Sequence, residues 1–367
     1  MERRNAEIRK RARAQKFDFC QKSNFSGFFG LRRWFVLALL GLMTLLYWGC
    51  AGPSPSTGAT PEPVGSPTAP PRATPLTQED WLGVQNWFYQ LQRERPQRIG
   101  KTGFDLVVLS IAAAGNSPQT FPALKESPGG DKIVLCYMSI GQAEEYRSYW
   151  QPAWKDNPPA WLDEPDADWT DDYWVKFWDP DWQRIIYGEP DSYLARLIAL
   201  GCDGVYLDRI DAYEYYAEQG RETAAREMAD FVIALAAYAR ERVPGFGVFP
   251  QNAEELGVRF PDYLDAVTGV GVEDLYYGNP IDHQASPPDW TAEREAILRQ
   301  WRDTGKLVLT VDYTAKPEQI ADAYRRSLEN GFVPYVADRN LGRLRINQGF
   351  ESDKTPDEYD YEAYKGE

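Results

Sequence analysis

From Trp81 onward the chain alternates two hydrophobic patterns. In the first, apolar residues recur at helical spacing, as in YLARLIAL (193–200) and FVIALAAYARERV (231–243), which predicts amphipathic helices with one buried stripe. In the second, a short unbroken apolar run ends in polar or charged residues, as in GVYLD (204–208) and LVLTVD (307–312). A glycine separates the two in YLARLIALGCDGVYLD, FVIALAAYARERVPGFGVFPQN, AILRQWRDTGKLVLTVDY and IADAYRRSLENGFVPYVADR, where it serves as the usual left-handed helix stop. Helices alternating with uniformly apolar strands predict a parallel sheet buried on both faces.

Eight runs qualify as strands: 87–91, 105–111, 132–140, 204–208, 246–250, 266–271, 307–312 and 332–337. Eight parallel strands with intervening helices predict an α/β fold, a (β/α)8 TIM barrel. The competing arrangement is an open doubly wound sheet. Its phosphate loop would fall in GVGVEDLYYG (269–278), where Asp274 stands in place of the third glycine, a weak match. In a barrel, reactive groups gather where strands end. Those ends carry Gln90 and Gln92, Ser139 with Gly141 and Gln142, Asp208 with Asp211, Gln251 with Asn252, Glu273 with Asp274, Asp312 with Tyr313, and Asp338 with Arg339. Strand alternation would turn Arg209 away from Asp208 into the barrel wall. Asp211 is then equally suited to pairing with Arg209 or to holding substrate.

The termini differ from this body. RRWFVLALLGLMTLLYWGC (32–50) has paired arginines, then an apolar run of about 14 residues, shorter than the ~20 of a membrane span, and ends in Gly49-Cys50. This predicts an export signal over 1–50, with Cys50 as a lipidation site and hence a lipid anchor to the membrane; Arg32-Arg33-Trp34-Phe35 also resembles a twin-arginine signal. A Pro/Ser/Thr-rich linker follows over 51–78, then the barrel over 79–350 and an acidic tail over 351–367.

Charge and composition narrow the chemistry. Without the first fifty residues the chain has 30 basic and 52 acidic residues, a net −22. Such a surface disfavours nucleic acid and attracts cationic ligands. His283 is the single histidine, which excludes zinc sites built on several histidines and leaves carboxylates as the main acid–base groups. Neither a metal nor another cofactor is expected, and the acidic stretch 162–172 lacks the spacing of a calcium loop. Of four cysteines, Cys136 and Cys202 fall in or beside strand runs and are expected to be two buried thiols rather than a bridge. The segment 141–182 is rich in tryptophan and long for a loop, and is expected to wall one side of a cleft.

Five stretches, KIVLCYMSIGQAEEYRSYW, YWVKFWDPDWQ, GCDGVYLDRIDAY, FPQNAEEL and VGVEDLYYG, span the body in an order and spacing that resemble the family 114 glycoside hydrolases, the endo-α-1,4-polygalactosaminidase-like (β/α)8 proteins. The resemblance implies hydrolysis of a galactosamine-containing polysaccharide at the cell surface or outside it. It also implies a catalytic pair at Asp208 and Glu273. Ala253 stands where the family pattern has Gly, which bears on the loop's backbone path rather than its chemistry. Asp208 is assigned as nucleophile or base and Glu273 as acid/base, the two carboxyl groups that glycosidic cleavage requires. Tyr137, Trp178, Tyr206 and Tyr276, near strand ends, are expected to stack on sugar. Gln142, Asp211, Asn252, Asp312 and Arg339 are expected to hydrogen-bond it. An acidic mouth suits a cationic amino-sugar polymer. A monomer is expected. The alternative function is a non-catalytic carbohydrate-binding lipoprotein on the same scaffold; a metal-dependent deacetylase is disfavoured by the single histidine.

Overall fold

The computed structural model describes residues 74–115 and 117–351. The leader, Cys50, most of the linker and nearly all of the acidic tail lie outside the described residues. In chain order the described strands are β1 (Trp87–Gln90), β2 (Leu106–Leu109), β3 (Ile133–Ser139), β4 (Gln142–Glu144), β5 (Leu162–Pro165), β6 (Asp172–Val175), β7 (Gly204–Asp208), β8 (Gly247–Pro250), β9 (Gly269–Glu273), β10 (Leu307–Tyr313) and β11 (Val333–Ala337).

Eight of these are parallel and form the centre, in the order β1-β2-β3-β7-β8 and β9-β10-β11. They match the eight apolar runs in position, with one shift. The run expected at 266–271 begins as a strand only at Gly269, because Pro261 opens a helix that lasts to Ala266. The glycines placed between helix and strand, Gly201, Gly245, Gly305 and Gly331, all have φ between 72° and 84°. Helix Ala224–Arg242 buries Met228, Phe231, Val232, Leu235 and Ala239, one stripe at helical spacing.

The expected closed barrel is realised in part. At the β8/β9 seam backbone hydrogen bonds continue from one sheet to the other: Thr268 N–H to Val248 O at 2.9 Å and Asn252 N–H to Gly271 O at 2.8 Å. At the β11/β1 seam no backbone ladder forms among the described strands, and the indole N–H of Trp87 donates instead to Val333 O at 3.0 Å. The architecture is therefore a barrel-like wall of eight parallel strands with one laddered seam and one bridged by a side chain.

One further expectation is corrected. Cys136 and Cys202 form a disulfide, with Cα atoms 5.9 Å apart. They are 66 residues apart in sequence, but β3 pairs directly with β7 and the 141–182 segment loops out between them, which brings Cys202 beside Cys136. That segment is partly structured. It contains the antiparallel sheet β4-β6-β5, and Trp154, Trp161, Trp174 and Trp182 are buried in it or beneath it.

Candidate active site

β7 and β9 end on the same rim, separated by β8. Neighbouring strands lie about 4.8 Å apart, so their terminal residues Asp208 and Glu273 start roughly 10 Å apart at the backbone.

Asp208 is held at both oxygens. Tyr137 Oη donates to Oδ2 at 2.6 Å, and the backbone N–H of Arg209 donates to Oδ1 at 2.7 Å. Burial pushes its pKa up to about 6. The Arg209 guanidinium and the Tyr137 hydrogen bond pull it down, and the charge of Glu273 pushes it up. Glu273 takes three side-chain donors: Gln251 Nε2 at 2.6 Å and Asn252 Nδ2 at 3.1 Å on Oε2, and Tyr313 Oη on Oε1. Both lone pairs of Oε2 are thus occupied, and Oε1 keeps one free. Gln251 is itself positioned by Tyr89, whose hydroxyl donates to Oε1 of Gln251 at 3.0 Å.

The loop after β8 sets this up by its backbone. Asn252 and Ala253 have φ of 61° and 54°, the left-handed region, so Ala253 occupies a step at which glycine would be unstrained. Buried Arg294 locks the turn by pairing with Glu254 and donating to Glu273 O at 2.8 Å and Asn252 Oδ1 at 3.2 Å. Beneath the pair, Tyr206 fills the floor and leans over Gly271, where a Cβ would stand 1.9 Å from its hydroxyl.

The other rim residues divide sharply. Tyr137 and Asn252 join the carboxylates, as positioners rather than as free sugar contacts. Gln142 is buried and donates to Asp166 at 2.5 Å. Arg209 is not in the barrel wall. Its φ of 60° breaks strand alternation, and the guanidinium pairs with Asp166 at 3.1 Å beside Asp208, with Asp211 also raising its pKa. Tyr206 is fully buried one layer below the mouth. Tyr276 is buried under Arg326, whose guanidinium sits 4.0 Å from the ring centre. Asp312 faces the opposite side of β10 from Tyr313 and accepts the backbone N–H groups of Tyr276 and Tyr277 at 2.7 and 2.8 Å. Arg339 is engaged by Asp274 at 2.6 Å and Asp282 at 2.5 Å, and Trp178 by Arg221 at 3.7 Å from its ring centre. These last four shape the loops around the mouth.

Sequence reasoning placed Gln251 and Tyr313 at strand ends on the rim without giving them a part in holding Glu273, and it missed Arg294 altogether. Arg294 carried a signal: it lies on the buried stripe Thr291, Arg294, Leu298, Trp301, where a charge needs a partner. It also missed Glu144 and Asp172, which face each other across β4 and β6. Burial, with the charge of Glu144 second, pushes the Asp172 pKa up to about 7, and Asp208 adds to the effect.

Residues 67–353 match the model of glycoside-hydrolase family GH114. The chain belongs to this family. Membership supports a glycoside hydrolase. The chain is 34% identical to an uncharacterized protein of Thermotoga maritima over 80% of its length and 94% of that protein's. It is 37% identical to one of Deinococcus radiodurans, with 83% and 97% covered. Its fold is similar to the glycoside hydrolase domain of PelA from Pseudomonas aeruginosa, with a TM-score of 0.57 and 21% identity, over 72% of this chain and 99% of that one.

Proposed function

We propose that this GH114 protein is an exported, endo-acting hydrolase of an α-linked, galactosamine-containing polysaccharide that works through Asp208 and Glu273. One observation carries the reading: two carboxylates on one rim, each fixed by a tyrosine hydroxyl and at least one further donor, lie near enough for the charge of Glu273 to raise the pKa of Asp208. Asp208, largely ionised above pH 6, attacks the anomeric carbon or activates the water that does. Glu273 delivers the proton to the leaving oxygen from Oε1, the oxygen with a lone pair to spare; where Asp208 forms the glycosyl intermediate, Glu273 then takes a proton from the water that hydrolyses it. Closure of the barrel around this pair belongs to the same proposal.

The acidic body supports a polymer bearing ammonium groups, which it would concentrate at the mouth. The Cys136–Cys202 disulfide supports export, since such bridges persist in oxidising compartments. Lipid attachment at Cys50 is proposed with it; no helix of the described residues is long and apolar enough to cross a membrane.

The test is incubation of the protein with partially deacetylated galactosaminan. Release of oligosaccharides supports the reading, and their anomeric form, read by NMR at early times, decides retention against inversion. An inert polymer together with measurable binding would favour the non-catalytic lectin-like alternative.

A further inference from the structure

The three-stranded sheet at the mouth presents two exposed aromatic side chains. Tyr146 is 63% exposed and Trp169 56%, and among the described residues the only other aromatic in the exposed class is Phe350, elsewhere in the fold. Strand pairing brings both to one end of the sheet. Glu144 faces Asp172, Glu145 N–H donates to Asp171 O at 2.9 Å, and Asp172 N–H donates to Trp169 O at 2.9 Å. Exposed aromatic rings with a free face are the groups that stack on sugar rings.

Tyr146 is also pre-set. Its hydroxyl donates to Glu144 Oε1 at 2.6 Å, and the guanidinium of Arg147 lies 5.0 Å from its ring centre. Arg147 is held in turn by both oxygens of Glu144, at 2.6 and 2.9 Å. The same guanidinium lies 5.5 Å from the ring of Tyr137, which bonds Asp208. A continuous packed line therefore runs from the reacting carboxylate to the exposed ring. Between them sits Asp172, whose Oδ1 is buried and accepts no hydrogen bond among the described residues.

We infer that this end of the sheet is an outer sugar-binding platform, where Tyr146 and Trp169 stack hexosamine rings of the same polymer chain beyond the reacting unit. The inference rests on the hydrolase reading above. A flat apolar ring face suits the aromatic, and the exposed Asp171 suits the ammonium of an amino sugar rather than a neutral or anionic glycan. Because the ring of Tyr146 is already fixed, stacking costs little side-chain entropy.

The experiment compares kcat and KM of the full chain on long galactosaminan and on a galactosamine trisaccharide, for wild type, Trp169→Ala, Tyr146→Ala and Tyr146→Phe. Each alanine variant should raise KM for the polymer by roughly three- to tenfold, leave kcat near wild type, and leave trisaccharide kinetics unchanged. Tyr146→Phe, which keeps the ring but loses its bond to Glu144, should raise polymer KM less than Tyr146→Ala does. Unchanged polymer kinetics in both alanine variants overturns the platform, as does an equal loss on both substrates. A wild type inert towards the polymer overturns the hydrolase reading itself, and the platform falls with it.

Discussion

Tyr137, on β3, donates its hydroxyl to Oδ2 of Asp208 on β7 at 2.6 Å, across two strands paired in register at Tyr137 and Tyr206. That bond favours the ionised carboxylate against the burial that opposes it. Tyr137→Phe should therefore raise the Asp208 pKa from about 6, and the acidic limb of the kcat/KM profile should move to higher pH by up to about one unit. Activity at pH 8 should change far less than activity at pH 6. A limb that stays in place would show that Asp208 is not the group that must be ionised.

The pair itself is tested by isosteres. Asp208→Asn should lower kcat by several orders of magnitude while leaving the fold and polymer binding intact, as read by circular dichroism and affinity electrophoresis. Glu273→Gln should do the same for natural linkages but much less for activated aryl glycosides, whose leaving groups need little protonation. The raised pKa of Asp208 also suits a proton donor. If the aryl glycoside rescue appears in Asp208→Asn instead, the two roles are exchanged.

Asp312 gives a stability prediction with a definite sign. It is buried, and burial lifts its pKa to about 7 despite two backbone donors. A carboxyl whose folded pKa lies above its unfolded value stabilises fully below the unfolded pKa and loses that contribution as pH rises through the folded one. The window is pH 4 to 7. Asp172 at about 7, Asp208 at about 6 and Glu351 at about 7 act in the same direction. Asp312→Asn keeps the Oδ1 acceptor for Tyr276 and Tyr277 and removes the titration. It should match wild type near pH 4 and exceed it at pH 8 by on the order of 2–4 kcal/mol. Thermal melts across that range decide it; a variant less stable at pH 8 would mean that the ionised form is the native one.

Much of this architecture was legible because parallel strands buried on both faces leave unbroken apolar runs, and because Asp208 and Glu273 stand where such runs stop. What was not legible shares one cause: it depends on which strand lies beside which, or on a local backbone sign. The disulfide needs the β3–β7 pairing. The outward turn of Asp312 and the inward turn of Tyr313 follow from strand parity at a boundary that the run 307–312 left one residue short. Arg209 lies at the mouth only because its φ is 60°. Tyr206 has the same parity as Asp208, but two residues along a strand is a full layer deeper. The β4-β6-β5 sheet is too short and too rich in Pro and Asp to show a strand period.

The disulfide has a measurable consequence. It closes a loop of 66 residues between neighbouring core strands, which in the chain-entropy account is worth roughly 4 kcal/mol. The double substitution Cys136→Ala and Cys202→Ala should lower Tm by many degrees and leave the site intact at low temperature. Thiol titration of the denatured, unreduced protein should find neither cysteine free. Two free thiols there would return them to the buried, unpaired state and remove the disulfide's support for export.

Arg294 offers the last test, because its charge is buried and its work is structural while its effect is on chemistry. Its guanidinium pairs with Glu254 and reaches Glu273 O and Asn252 Oδ1, so it ties a left-handed turn to the end of β9. Asn252 then holds Glu273 from two directions, donating to its Oε2 and accepting from its backbone N–H at 3.1 Å. Arg294→Lys keeps the charge but cannot span all three acceptors. The Lys variant should stay folded and bind polymer with unchanged KM, yet lose ten- to a hundredfold in kcat, because Glu273 is no longer fixed where the leaving oxygen arrives. Arg294→Met leaves Glu254 buried without its counter-ion and should destabilise by about 3–5 kcal/mol. Combining it with Glu254→Gln should recover most of that stability without restoring kcat. If the double variant recovers both, Arg294 only balances a charge, and Gln251, Asn252 and Tyr313 position Glu273 without it.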